Sequence, residues 1–436
     1  MPSHTLNISD VLTILQGLPG LKAWELIRQK KKSYQKYLIF DRPEAQRVVE
    51  SQRITVVLYQ TREEQGRTVL GEAVVVLAEG DPMEDKLVKG LEMASLVANP
   101  PFDLPEKGLT YPEVTTFDPV VRHDPFGTLK RVEEDLLRPH LPGVKRSSLE
   151  IFVEDRELLL LNSNGLNLEE RRSEYTVDFV LLAEGGPSAG GEGEGLLQAV
   201  FYEDLRLEEM LERYARYADE AGRARLPQTG FFPVVFAEEA LDTLFSFFCL
   251  QASGPARFQN WSRLKIGAPV IEGLLGEPLT LVSDPSLPGG WKSRAFDGNG
   301  LPLRRVEVIK ENLFRTPMNS KRYADYLGEE ATGDFANVEV ACGTYPLDDL
   351  LTDGPVFLIL RFSHFEPHPV SGAFSGEIRT GYFLRKGEKI PIKGGSVSGS
   401  MVEAFRRARF SREETRRKAY RGPAAVRLEP LALAGA

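Results

Sequence analysis

One arrangement of strands and a helix is written twice in the first half of this chain, and it constrains the fold more than any short motif does. KAWELIRQ (22–29), KSYQKYLIF (32–40), RITVVLYQ (53–60) and GEAVVVLAE (71–79) read as strands from their Val, Ile and Tyr content and partial alternation. DPMEDKLVKGLEMASLVA (81–98) then reads as a helix, with Leu87, Val88, Leu91 and Ala94 on one face. The second round runs SLEIFVED (148–155), ELLLLNS (157–163), SEYTVDFVLLAE (173–184) and GLLQAVFYE (195–203). It closes with DLRLEEMLERYARYADEA (204–221), where Leu207, Met210, Leu211, Tyr214 and Tyr217 share a face. Strands followed by one covering helix, repeated, predict an α+β domain with antiparallel sheets. RARLPQTG (223–230) marks the boundary, giving an N-terminal α+β domain of two similar units over 1–225 and a strand-rich C-terminal domain over 226–436. The Gly-rich GGPSAGGEGEG (185–195) reads as a mobile hairpin tip.

Beyond the boundary, VVFAEEALDTLFSFFCLQASG (234–254) reads as a strand running into a helix. DPSLPGG (284–290) and DGNG (297–300) are turn chemistry. FLILRFSHF (357–365), TGYFLRKGEKI (380–390) and PIKGGSVSG (391–399) read as paired strands with a tight turn at Lys386-Gly387-Glu388.

Charge and cysteine count exclude several classes. The longest apolar runs, such as LFSFFCL (244–250), are far below the ~18–20 residues that cross a bilayer. The N-terminus lacks a basic-then-apolar signal pattern, so the expectation is a cytoplasmic protein that does not engage a membrane. Two cysteines, Cys249 and Cys342, argue against a disulfide framework and against a zinc site built mainly of thiolates. A formal net charge of −9 argues against a dedicated nucleic-acid binder. The basic stretch FRRARFSREETRRKAYR (405–421) reads as a solvated or partner-facing helix face with an aromatic seam at Phe405, Phe410 and Tyr420, in preference to a nucleic-acid patch.

Motifs for chemistry are sparse. HFEPH (364–368) places His364, Glu366 and His368 at i, i+2 and i+4, one face of an extended strand, which is a two-histidine, one-carboxylate metal set if the strand continues that far. The plainer reading is a strand that ends at Pro367 with polar residues toward solvent. GSVSG (395–399) has Val397 where a hydrolase elbow needs serine, SRLK (262–265) and SYQK (33–36) are chance-level matches to S-x-x-K, and no phosphate-binding glycine loop or H-E-x-x-H occurs.

The second half resembles the TldD/PmbA family, once labelled modulators of DNA gyrase and understood as metallopeptidases. The likeness rests on PVVFAEEALDTLF (233–245), on LTLVSDPSLPGGWKSRAFDGNGLPLRRVEVIKENLF (279–314) and on VSGAFSGEIRTGYFLRKGEKIPIKGGSVSGS (370–400); NSNGLNLEERRSEYTVDFVLLAEG (162–185) extends it into the first half. In that family TldD-type subunits carry H-E-x-x-x-H on the helix after the V-V-F-A strand and a cysteine ligand near the C-terminus, whereas TldE-type subunits lack the ligands. Here the matching helix reads EEALDTLFSFFCLQ. Its register puts Ser246 and Phe247 at the His-Glu pair and Gln251 at the second His, and no cysteine follows Cys342. Leu241, Leu244, Phe245 and Phe248 instead form an apolar face.

What the resemblance implies is therefore a TldE/PmbA-like subunit with no catalytic residue and no cofactor of its own. It would pair with a TldD-type partner that holds zinc, and act on extended peptides or unfolded proteins, with Gly372, Ala373, Phe374 and Ser375 as peptide-contact candidates and strand addition as a mode of capture. Two other classes stay open on the sequence: a homodimeric binding or scaffold protein, and a metallohydrolase using His364, Glu366 and His368.

Overall fold

The computed structural model describes residues 6–185, 189–352 and 354–435. The repeated pattern in the first half builds one six-stranded antiparallel sheet: β1 (Ala23–Ile39), β2 (Arg42–Glu64), β3 (Arg67–Leu77), β4 (Val144–Asn162), β5 (Asn167–Ala183) and β6 (Glu192–Ala199). Their order is β3-β2-β1-β4-β5-β6, so the two meanders meet back to back along β1 and β4. Each unit carries its helix: α2 (Met83–Ala94) follows the first, and α4 (Leu207–Ala221) the second. Two more helices, α1 (Ile8–Gly17) and α3 (Pro125–Leu137), complete the cover.

The strands are longer than their sequence signals. The stretches 22–29 and 32–40 are one 17-residue strand, and 148–155 and 157–163 are one of 19. Lys30, Lys31 and Lys32 look like an interruption, yet β1 is paired on both sides there, with β2 and with β4, and the ladder hydrogen bonds hold the backbone extended. Apolar cover is confined to the two ends of the sheet. Val11, Leu26, Val56, Leu58, Leu87 and Leu91 pack under α1 and α2. Leu129, Val132, Ile151, Phe179, Leu211 and Tyr214 pack under α3 and α4. Among the described residues no helix lies over the middle of the long strands. The Gly-rich 185–195 is the β5–β6 hairpin connection and the start of β6; residues 186–188 lie outside the described residues.

The C-terminal domain is barrel-like. β7 (Gly230–Ala237), β8 (Val356–Phe365), β9 (Ala373–Arg385), β11 (Ser396–Ser400) and β12 (Ala425–Ala434) pair in a ring, β8-β7-β12-β11-β9-β8, and β10 (Glu388–Ile392) hangs on β9. Closing the ring occupies strand edges that would otherwise be open. The β9–β10 turn is the expected tight one, with φ of 50° at Lys386 and 80° at Gly387. A second six-stranded sheet, including Leu281–Asp284, Val306–Lys310 and Asn337–Val340, packs against the ring around Phe236, Leu281, Phe314, Phe357 and Phe405.

The basic stretch 405–421 is not a helix. A short helix ends at Phe405, and Arg409–Phe410, Glu414–Arg417 and Tyr420–Pro423 are strands. The seam holds, since Phe405, Phe410 and Tyr420 are all buried. Arginines of the stretch are taken up by ion pairs: Arg409 with Glu429, Arg417 with Asp242, and Arg421 with Glu414. The buried aromatics mark strand ends and turns here, which apolar content in a charged run does not by itself separate from a helix.

Candidate functional site

β7 delivers Val234, Val235 and Phe236 into the core and leads into a short turn at Glu238–Ala240. Two helical pieces follow, α5 (Leu241–Leu244) and α6 (Ser246–Gln251), with a break at Phe245. Leu241, Leu244, Phe245 and Phe248 are buried as their spacing requires. Phe248 stacks edge-on against Phe405 at 4.8 Å.

The three positions singled out by the family register are satisfied by the protein itself. Ser246 Oγ donates to the Thr243 carbonyl at 2.6 Å. Phe247 is buried, and its ring lies under Gly372: a Cβ there would meet Phe247 Cζ at 3.0 Å, and the φ of Gly372 is +70°. Gln251 is 2% exposed. Its Nε2 donates to the carbonyls of Trp261 (3.0 Å) and Pro369 (2.6 Å), and its Oε1 accepts from the Arg263 amide (2.9 Å). A zinc ion needs imidazole, thiolate or carboxylate donors with free lone pairs. A serine turned to its own helix, a buried phenyl ring and an amide spent on three backbone groups do not fit it.

HFEPH does not converge either. β8 ends at Phe365, so the i, i+2, i+4 face stops before His368. Register shifts between Arg361 and His364 already twist the strand. His364 and Glu366 are exposed, 4.0 Å apart at their nearest atoms. His368 belongs to the next turn: its Nδ1 faces Ser371 N at 3.2 Å and Ser371 Oγ at 3.1 Å, and its amide donates to the Ala373 carbonyl at 2.7 Å. Among the described residues no group of three His, Cys, Asp or Glu side chains is placed to hold a metal ion.

The peptide-contact candidates sit at the start of β9. Phe374 is buried; Ala373 and Ser375 are exposed. β11 pairs with 373–377 along one side, and the 365–368 segment closes on the other, so an added strand finds no open edge there.

The polar feature that sequence reasoning missed lies between the domains. The loop 284–303, inside the 279–314 block, fastens the barrel side to the N-terminal sheet. Arg172 on β5 donates to the carbonyls of Ser293 and Trp291, and its guanidinium lies 5.1 Å from the Trp291 ring. Asn299 Nδ2 donates to Glu25 Oε1 at 3.0 Å, while Tyr59 donates to Glu25 Oε2 at 2.6 Å. Gly300, at φ +91°, presses on the sheet so closely that a Cβ would lie 2.4 Å from Leu166. Asp297 Oδ1 accepts from the Asn299 and Leu301 amides, both at 3.0 Å, whereas its buried Oδ2 has no hydrogen-bond partner. Burial, with Asp334 nearby, pushes the Asp297 carboxyl up to about 6. The sequence signalled turns here; the Arg-Arg-Ser-Glu run at 171–174 was the one clue to the opposing surface.

Under this loop the uncovered middle of the sheet forms a cleft of about 670 Å³. Its lining holds seven Lys or Arg against four Asp or Glu, so it is locally positive in an acidic chain. Glu170 and Glu174 are both raised from the ordinary carboxylate range by burial, against the opposing pull of their arginines.

Comparison with known proteins follows the same division. Residues 229–435 match the family described as the PmbA/TldA metallopeptidase C-terminal domain. The chain is 22% identical over 262 residues to an uncharacterized protein of Methanocaldococcus jannaschii, covering 57% of this chain and 60% of that one. It is 24% identical over 293 residues to a metalloprotease of Methanothermobacter thermautotrophicus, covering 61% and 62%. The matches thus span about three fifths of those relatives' length. Two solved structures share the fold over nearly the whole chain. One is a modulator of DNA gyrase from Thermotoga maritima (TM-score 0.77, 18% identity, 98% of this chain and 100% of that one). The other is TldE from Thermococcus kodakarensis (TM-score 0.74, 17% identity, 98% and 100%).

Proposed function

Since the C-terminal half of this chain belongs to the TldD/PmbA metallopeptidase family, we propose that the protein is a TldE-like subunit without a catalytic centre, paired with a TldD-type subunit whose zinc performs peptide cleavage. One observation carries the reading. The helix at which the family's TldD-type branch carries its zinc ligands is here a piece of core, with Phe247 buried and both ends of the Gln251 amide bound to backbone. Phenylalanine cannot serve as a general base, and the buried Gln251 amide is a neutral group held by the Trp261, Arg263 and Pro369 backbone, in place of the imidazole, thiolate or carboxylate that zinc takes. The chain's part is to complete the wall of a chamber and to limit what enters it. Trp261, 41% exposed and joined through its carbonyl to Gln251, supplies apolar surface suited to a partner. A contact that encloses a shared chamber is expected to exceed the ~1,200–2,000 Å² of a standard interface.

The test is a peptidase assay on this chain, a TldD-type subunit and their mixture. The mixture is expected to cleave unfolded peptides faster than either chain alone, to lose activity to a chelator, and to keep it with His364→Ala and His368→Ala. Full activity from this chain alone, abolished by either histidine change, overturns the reading in favour of the HFEPH metallohydrolase. A stable homodimer with no stimulation in the mixture overturns it in favour of a scaffold.

A further inference from the structure

We infer that the positive cleft between the N-terminal sheet and the 284–303 loop is a binding site for an acidic stretch of extended polypeptide. The inference takes its setting from the chamber reading and adds a substrate class to it.

The floor of the cleft is set by strand register. Lys31 pairs with Arg156, and Arg156 pairs with Arg172, so three cations stand side by side across β1, β4 and β5. Neighbouring strands lie ~4.8 Å apart, and like charges directly opposite destabilise a sheet. The next row on the same face holds Arg53, Gln29, Leu158 and Glu170. Glu154 and Glu174, one row to the other side, pair with the three central cations but do not match their number. Two further cations face the cleft unneutralised: Arg53 from the floor and Lys292 from the loop are exposed and form no ion pair among the described residues. A sheet that served only as scaffold would gain by neutralising this row.

The second observation selects the kind of anion. Glu170 Oε2 and Arg294 Nε are buried without hydrogen-bond partners, 3.7 Å apart, too far to satisfy each other. They attract each other as an ion pair, yet the acceptor and the donor each keep their hydrogen-bonding capacity unused. A peptide unit offers the complement, an N–H for Glu170 and a carbonyl for Arg294, while carboxylates on neighbouring residues reach Arg53 and Lys292. A phosphate group would satisfy the donor and leave the carboxylate facing another acceptor. The volume suits a short segment, and the site lies at a domain junction, where clefts for ligands commonly form.

The experiment is fluorescence anisotropy on this chain alone. The probes are a dye-labelled octapeptide with four glutamates, the same peptide with glutamines, and unlabelled tripolyphosphate as competitor. The acidic peptide is expected to bind at least tenfold more tightly than the glutamine peptide, and to weaken as salt rises. Arg53→Glu with Lys292→Glu should weaken it at least tenfold; both side chains are exposed, and an unchanged thermal melt verifies that the variant folds. Lys292→Ala alone should weaken it severalfold, a second variant that leaves the floor intact. Equal binding of the two peptides, or binding indifferent to the substitutions, overturns the inference. So does a cleft that takes up tripolyphosphate but not the acidic peptide. Because no partner subunit is present, failure here is distinct from failure of the mixture to cleave peptides.

Discussion

In α5 and α6 every polar side chain at the positions of interest is bound to backbone: the Ser246 hydroxyl to Thr243 in the preceding turn, the Gln251 amide to Trp261, Arg263 and Pro369, with Phe247 and Phe248 packed among other rings. In the loop and sheet around the interdomain cleft the accounting is left open, with Asp297 Oδ2, Glu170 Oε2 and Arg294 Nε buried without hydrogen bonds, the last two only as a long ion pair, and cations lined up across the strands. The first region is organised for stability. The second retains costs that stability alone would remove. The difference teaches where to look for binding in this chain: not at the helix that the family register highlights, but at the surface where polar groups remain unsatisfied.

Substitution separates the two regions by sign. Phe248→Ala is expected to cost about 3–5 kcal/mol in a denaturant melt, the range for truncating a large buried aromatic; a loss well below one kcal/mol would place the helix outside the core. Asp297→Asn should act in the opposite direction. A carboxyl held at about 6 in the folded chain, against 3.8 unfolded, binds a proton more tightly when folded. Its penalty is therefore absent below about pH 4, grows as pH rises through 4–6, and is full at pH 7. The asparagine variant should be more stable by about 2–3 kcal/mol at pH 7 and show no gain near pH 3.5. A loss of stability at pH 7 would mean that the loop needs the ionised carboxylate.

Smaller effects sharpen the contrast. Gln251→Ala removes three hydrogen bonds from part-buried backbone groups, two carbonyls and an amide, and is expected to cost about 1–3 kcal/mol. No change in melting would break the claim that this amide is structural. Gly372→Ala meets Phe247 and must adopt a left-handed φ, at about 1–2 kcal/mol; a neutral result would show that the 368–372 turn yields.

Much of this was readable from residues. The doubled strand-and-helix pattern gave the six-stranded sheet, because alternation and helical spacing report burial, and burial is what the sheet and its helices create. The aromatic seam and the apolar face of 241–248 were legible for the same reason. Three things were not. Lys30–Lys32 hid the continuity of β1, since pairing on both sides outweighs local composition. The 405–421 run hid its strands behind a density of charge that suggests a solvated helix face. The interdomain docking of Asn299 on Glu25, 274 residues apart, leaves no periodic trace at all. At His364, Glu366 and His368 the plainer reading was the right guide, because an i, i+2, i+4 pattern means one face only while the strand lasts, and β8 ends at Phe365.

The central claim, that the family's metal helix has become core in this chain, is tested most directly by elemental analysis of the chain purified alone after exposure to zinc and desalting. The account predicts far less than one zinc per chain, unchanged by Gln251→Ala or His364→Ala. About one zinc per chain, lost on Gln251→Ala, would contradict it; zinc lost on His364→Ala instead would leave the helix as core and move the metal to HFEPH.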